Sequence, residues 1–116
     1  MIVYSKDKEE YLTEERCFIK ELINSKGAEN VSVAQARVEP GVTTALHSLE
    51  ADEIYYILMG EGLVEVDGVK SKVTPHDLVI IEKGKTQRIT NTSDTDLIFL
   101  CICQPRFTPE RYSSLE

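Results

Sequence analysis

The sequence has little of what several protein classes require, beginning with cysteine, basic residues and long apolar segments. Its 3 cysteines are an odd number and do not form a disulfide framework. Only 13 Lys and Arg stand against 20 Asp and Glu, and without a basic stripe nucleic acid is not an expected partner. No apolar run is long enough to span a bilayer, and the N-terminus lacks the features of a secretory signal. We therefore expect a cytoplasmic protein that does not contact a membrane.

The composition is that of a folded globular protein. Of the 116 residues, 41% are apolar and 28% are charged, and the net charge is −7. These values separate the chain from disordered sequences, and the acidic balance is typical of ordinary solubility. We find no repeat, low-complexity tract or linker, so we predict a single domain over residues 1–116, with a core at about 17–107 and short extensions at both ends.

After residue 16 the apolar residues recur with a period close to two, and turn residues interrupt them at short intervals. This pattern is typical of short β-strands in a sandwich or closed barrel. The predicted strands are 17–23, 31–38, 53–58, 63–66, 69–73, 78–81, 86–90 and 97–104. Asp67 and Gly68 predict a tight hairpin. Helical turns are predicted only at 6–12 and at 108–112, the latter with Thr108 as cap and Pro109 in its first turn.

One predicted strand is apolar on both faces. The alternating sets are Tyr55, Ile57 and Met59 on one face, and Ile54, Tyr56 and Leu58 on the other. A strand of this kind must be covered on both sides. One side can fill the interior of a barrel. We predict that the other side is covered by a second subunit in a homodimer, or alternatively by the N-terminal segment.

Two segments combine glycine, histidine and acidic residues at regular spacings. The first reads Gly41, five residues, His47, one residue, Leu49, three residues, Glu53, six residues and Gly60. The second reads Pro75-His76-Asp77, an apolar strand, then Gly84, Gln87 and Asn91. Together they resemble the two motifs of the cupin superfamily over about residues 31–107. The resemblance implies an all-β fold, a double-stranded β-helix or jelly-roll barrel, closed by the strand before residue 107.

The resemblance also implies a position for a metal. In metal-containing cupins, two histidines and the glutamate of the first motif bind a divalent ion together with the histidine of the second. Here His47 and Glu53 keep their types, Leu49 replaces a histidine, and Gln87 replaces the second-motif histidine. The set of His47, Glu53 and Gln87 could hold Zn²⁺, Mn²⁺, Fe²⁺ or Ni²⁺ with waters. The alternative is a metal-free pocket in which the three side chains hydrogen-bond one another or an organic ligand.

Glu53 and Tyr55 are the candidate catalytic residues. Alternation along the strand points both into the barrel, where a carboxylate needs a cation, a proton or hydrogen-bond donors. Tyr55 would serve there as donor or acid beside Glu53, or as a packing aromatic with its hydroxyl at the barrel mouth.

Other polar residues and thiols have predicted structural roles. His76 is expected to be an exposed turn residue in a left-handed conformation, Asp77 to organise its turn, and Asn91 to cap the next one. Cys101 and Cys103 alternate onto one face and are expected to be small packing residues, with a reactive thiol or metal ligand as the alternative.

Two functions follow from this resemblance and these residues. The first is a cupin that binds a divalent metal and/or a small organic ligand inside the barrel, as in a metal-dependent enzyme acting on a small metabolite or sugar. The second is a non-catalytic, metal-free module that binds a small molecule. Whether the chain is an enzyme stays open at this point, because the fold hosts many chemistries.

Overall fold

Eleven β-strands in two antiparallel sheets form nearly all of the regular secondary structure in the computed structural model, which describes residues 1–116. The strands are β1 (Glu10–Leu12), β2 (Phe18–Ile23), β3 (Ser32–Val38), β4 (His47–Leu49), β5 (Asp52–Met59), β6 (Gly62–Val66), β7 (Val69–Val73), β8 (Leu78–Ile81), β9 (Thr86–Asn91), β10 (Leu97–Gln104) and β11 (Tyr112–Ser114). One sheet has the order β1-β2-β3-β10-β5-β8, and the other has the order β11-β4-β9-β6-β7. The all-β jelly-roll prediction is confirmed.

The helices are short. Two 3₁₀ turns, Ser5–Asp7 and Pro109–Arg111, are the only helical elements, and neither has the length or apolar character needed to cross a membrane. The predicted turn at 6–12 is wrong in its second half, because β1 pairs there with β2. Pro109 begins its helix as expected, but Thr108 makes no side-chain cap.

All eight predicted strands form, and β7, β8 and β10 have the predicted bounds. The period-two pattern missed β1, β4 and β11, which have three residues each. Three residues are too few to display alternation. Their pairing partners hold them in place instead, as β11 pairs with β4 and β4 with β9.

The predicted turns are confirmed. Asp67 and Gly68 join β6 to β7 with φ values of 48° and 81°, the positive values that a two-residue hairpin turn requires. His76 has a φ of 77°, so it occupies the left-handed region. The Asp77 carboxylate accepts a hydrogen bond from the backbone N–H of Thr74 at 2.8 Å. Asn91 holds the following turn, because its side-chain oxygen accepts a hydrogen bond from the backbone N–H of Ser93 at 2.8 Å.

The core lies between the inner faces of the two sheets. Its buried members are Cys17, Ala36, Val38, Tyr55, Ile57, Val64, Val73, Ile81, Ile89, Leu97 and Phe99. Strand β5 shows the alternation most clearly, because Ile57 has no exposed surface whereas Ile54 is 37% exposed. Full burial of such a side chain stabilises the fold by roughly 1.5–3 kcal/mol.

The opposite face of the larger sheet is left uncovered. Paired residues of β5, β8 and β10 form what we name the outer apolar face: Ile54, Tyr56, Leu78, Ile80, Leu100 and Ile102. Leu78 is 63% exposed and Ile80 is 75% exposed. The N-terminal strand β1 pairs with β2 at the far edge of the sheet. The alternative prediction, that the N-terminal segment covers this face, is therefore wrong.

Candidate functional site

Three strands turn the predicted site residues toward the interior. His47 on β4 lies directly opposite Gln87 on the neighbouring β9, and Glu53 enters from β5 in the other sheet. Their exposed fractions are 6%, 1% and 5% respectively. The motif residues are thus brought to one region of the interior.

A cavity of about 150 Å³ lies beside these residues, with walls from both sheets. Most of its lining is apolar, and His47, Glu53 and Tyr55 all contribute to it. Gln87 does not line the cavity, and it contacts Tyr55 instead. Of the three predicted metal ligands, His47 and Glu53 therefore line the cavity and Gln87 does not.

Glu53 is the most unusual group in the cavity wall. Its Oε2 accepts a hydrogen bond from the Cys103 thiol at 3.5 Å, while Oε1 is buried without any partner. Burial raises the pKa of the Glu53 carboxyl to about 7, and the nearby Gln87 amide and Cys103 thiol oppose that rise. A carboxyl with this pKa changes between its protonated and ionised forms near neutral pH.

Tyr55 is held inside the barrel at both ends of its side chain. Its hydroxyl donates to Oε1 of Gln87, and its ring lies against Phe99 with a centroid distance of 4.6 Å. Burial, and then the charge of Glu53, raise the pKa of the Tyr55 hydroxyl well above its ordinary value. It remains a hydrogen-bond donor at neutral pH. Tyr55 is a packing aromatic as expected, but its hydroxyl does not lie at the barrel mouth, because Tyr55 is only 4% exposed.

His47 is oriented by two oxygen atoms. Its Nδ1 lies 2.9 Å from the carbonyl oxygen of Ala45 and 3.2 Å from Oε2 of Glu15. Because a carbonyl oxygen only accepts hydrogen bonds, the hydrogen bond to Ala45 places a proton on Nδ1. The imidazole also stacks on Tyr112, with ring centroids 4.9 Å apart.

The two chain ends supply site residues that the motif analysis missed. Glu15 and Cys17 come from the loop between β1 and β2, and Phe107 and Tyr112 come from the C-terminal segment. Burial raises the pKa of Glu15, against the opposing effects of His47 and Tyr112. Nothing in the local sequence marks these residues, because only the long-range pairing of β11 with β4 places Tyr112 beside His47.

The donor set does not fit a metal ion as it is arranged. The structure contains no group of three or more His, Cys, Asp and Glu side chains placed to hold one. Oε1 of Gln87 is engaged by the Tyr55 hydroxyl, and Leu49 offers no donor. Burial raises the pKa of the Cys17 thiol to about 11 and that of Cys101 well above its ordinary value. Such thiols are protonated at neutral pH while no metal is bound.

Two antiparallel sheets around a lined cavity define a small β-barrel protein with an internal site. The model of the cupin domain family matches residues 34–103, which is more than half of the chain. The protein belongs to the cupin family, as its motifs indicated.

Relatives of the chain support the same assignment. It is 35% identical over 110 residues to an uncharacterized protein of Methanocaldococcus jannaschii, covering 91% of this chain and 87% of that one. It is 37% identical over 70 residues to the oxalate-binding protein of Thermotoga maritima, covering 60% of this chain and 58% of the relative. A nucleoside dehydratase from Streptomyces has a similar fold, with a TM-score of 0.83 at 11% identity, over 100% of this chain and 91% of that one. The oxalate-binding protein is thus similar to this chain in sequence, and the nucleoside dehydratase is similar to it in fold alone.

Proposed function

We propose that this protein binds a small organic molecule in the cavity between its two sheets, at Glu53, Tyr55 and His47. The observation that carries the proposal is the buried Glu53 carboxyl, which lines a mostly apolar cavity and has one oxygen without a partner. Buried polar atoms almost always have partners, so a ligand that donates to this oxygen would complete the site. A few polar groups in an apolar wall are typical of small-molecule sites.

The size of the cavity limits the ligand. An engineered cavity of about 150 Å³ in another protein accepts benzene, so a cavity of about 150 Å³ suits one ring or a short chain. The T. maritima oxalate-binding protein supports a small ligand in this family. Oxalate itself suits this cavity poorly, because two negative charges would need basic residues and the lining has no lysine or arginine.

The binding proposal is tested by nuclear magnetic resonance with four one-ring probes: toluene, benzyl alcohol, benzylamine and benzoate. We expect at least one probe to shift the backbone amide signals of β5 and β10 in a saturable manner. The exposed groove of Arg16, Lys70 and Arg88 serves as the internal control, and its signals should stay in place. If no probe shifts the cavity signals at millimolar concentration, the proposal is wrong.

A divalent metal at His47, Glu53 and Gln87 is the competing ligand. Binding there would require Gln87 to release the Tyr55 hydroxyl and to turn toward the cavity, and no step of the present proposal depends on it. Metal content of untagged protein, measured after reconstitution with Zn²⁺, Mn²⁺, Fe²⁺ and Ni²⁺, decides the matter. We expect well under one ion per chain. About one ion per chain, lost in both His47→Ala and Gln87→Ala, would establish the metal site instead.

A catalytic role is supported by one further observation. A general acid or base works best when its pKa lies near the working pH, and burial raises the pKa of Glu53 to about 7. In this second candidate function Glu53 moves a proton of the bound molecule while Tyr55 donates a hydrogen bond. Incubation in D₂O of a bound small molecule that has an acidic C–H bond, such as one beside a carbonyl group, tests it, because none of the four probes has such a bond. Deuterium should enter a carbon-bound position with the wild type and not with Glu53→Gln. Exchange at the same rate in both would remove Glu53 from catalysis.

The outer apolar face supports a homodimer. Its six side chains are neighbours across three paired strands, and contiguous exposed apolar patches mark interaction sites. We expect light scattering after size-exclusion chromatography to give the mass of two chains. Ile80→Glu, on that face, should give monomers. Val69→Glu is the matched control, because Val69 is 68% exposed on the other sheet. A monomeric wild type would contradict the proposal.

A further inference from the structure

The charged groups that line the cavity are acidic. Glu15, Glu21 and Glu53 belong to the lining, which contains no lysine and no arginine. Its one imidazole, on His47, lies with Nδ1 3.2 Å from Oε2 of Glu15. An anion here would face carboxyl groups with no fixed cation to balance it, whereas a cation would be attracted. The sign of the charge favours a positively charged ligand.

Aromatic rings form much of the remaining wall. The lining includes Tyr11, Tyr55, Phe99, Phe107 and Tyr112. Two pairs are in contact, Tyr55 with Phe99 at 4.6 Å and Phe107 with Tyr112 at 6.5 Å between ring centroids. Ring faces attract cations and also pack well against an apolar body. The wall therefore suits a ligand that combines a cationic group with a hydrocarbon part.

The unpartnered oxygen supplies the third observation. Glu53 is 5% exposed, and its Oε1 accepts no hydrogen bond from the chain. A carboxylate accepts hydrogen bonds and does not donate them. The group that completes it is a donor, and charge-assisted N–H donors make the stronger hydrogen bonds to carboxylates.

From these observations we propose that the ligand of the cavity is a small organic amine. Its ammonium group is held by the Glu53 carboxylate, with Glu15 adding negative charge nearby. Its one-ring or short aliphatic body packs against the aromatic wall. This inference rests on the proposed function, because it names the chemical class bound at the same site.

The four one-ring probes show whether the cavity prefers an amine or binds any small organic molecule of this size. Benzylamine, benzyl alcohol and benzoate have nearly the same size and differ in charge, and toluene lacks the polar group. At pH 7.5, titration followed by nuclear magnetic resonance should give benzylamine a dissociation constant at least tenfold lower than that of benzyl alcohol. Benzoate should bind more weakly than either.

Two charge-matched variants identify the carboxyl involved. Glu53→Gln should weaken benzylamine binding at least tenfold and leave toluene binding nearly unchanged. Glu82→Gln removes the same charge from a side chain that is 74% exposed, and it should change either affinity less than twofold. An equal loss in both variants would mean that only the overall charge matters, which would overturn the assignment to Glu53.

The outcomes distinguish failure of the inference from failure of the proposed function. If benzyl alcohol, toluene or benzoate binds in the cavity more tightly than benzylamine, the cavity binds small molecules but the amine proposal is wrong. If none of the four binds there, both proposals are wrong. Selective benzylamine binding that is lost in Glu53→Gln supports both.

Discussion

The two faces of β5 present the same residue types to opposite surroundings. Tyr55 and Ile57 point into the barrel and are 4% and 0% exposed, whereas Ile54 on the other face is 37% exposed. Tyr56 also faces outward, and its hydroxyl lies 3.2 Å from Nδ1 of His76 at the surface. The strand thus carries an isoleucine and a tyrosine on each face, one pair in the core and one outside.

The difference shows that burial, rather than residue type, decides what each side chain does. On the inner face, the core and the walls of the cavity shield Glu53 and Tyr55 from water. This burial raises the pKa of both groups. On the outer face, water reaches the side chains and apolar area is left for a partner. Substitutions matched across the strand therefore measure the inner environment directly.

The largest effect is expected from removing a core side chain. Ile57→Ala should lower the free energy of unfolding by about 2–5 kcal/mol, because a fully buried isoleucine leaves a cavity behind. Ile54→Ala, on the same strand, should cost less than about 1 kcal/mol in dilute solution. Urea unfolding followed by circular dichroism measures both. Equal losses would show that the two faces are equally buried in solution.

The pH dependence of stability tests the environment of Glu53. Because folding raises the pKa of this carboxyl from 4.5 to about 7, the folded chain holds a proton that the unfolded chain loses in that interval. The contribution to stability is complete below about pH 4.5 and is lost as the pH rises through about 7, by about 3 kcal/mol. Urea unfolding at several pH values should show this fall in the wild type.

Two variants isolate the contribution of that carboxyl. Glu53→Gln removes the ionisable group, so the fall attributed to it should be absent and the variant should be more stable than the wild type at pH 8. Glu82→Gln, at an exposed site, should follow the wild-type curve. If Glu53→Gln retains the whole pH dependence, another buried group causes the fall in stability. Glu15 is then the first candidate.

Which side chains of β5 face inward and which face outward could be predicted from the sequence, because period-two alternation is a local property of the strand. Once Glu53 is placed inside, Tyr55 and Ile57 must follow it. The glycine that ends the first motif is required for a steric reason. A Cβ at Gly60 would lie 2.6 Å from the carbonyl oxygen of Asp96, at a φ of 82°, so only glycine fits there.

The rest of the site could not be predicted because it depends on contacts between distant segments. Glu15 reaches His47 and Tyr112 stacks on it only after the chain ends pack on the barrel. The direction of the Tyr55 hydroxyl was equally hidden, because alternation fixes the face of a side chain and not its hydrogen-bond partner. That partner is Gln87, a residue of the opposite sheet.

The smallest expected loss of stability comes from removing a tyrosine hydroxyl, and it should differ between Tyr55 and Tyr56. Tyr55→Phe deletes a buried donor and leaves Oε1 of Gln87 without its partner, which should cost about 1–3 kcal/mol. Tyr56→Phe deletes a hydroxyl at an exposed hydrogen bond to His76, and it should change stability by less than about 0.5 kcal/mol. Urea unfolding at pH 6, where more of Glu53 is protonated than at pH 8, measures both variants against the wild type.

If Tyr55→Phe costs as little stability as Tyr56→Phe, then Gln87 finds a second donor inside the barrel. The hydrogen bond that keeps its amide oxygen away from the cavity is then weaker than the structure indicates. In that case the amide oxygen of Gln87 would be free to turn toward the cavity, and the metal set of His47, Glu53 and Gln87 would regain its third member.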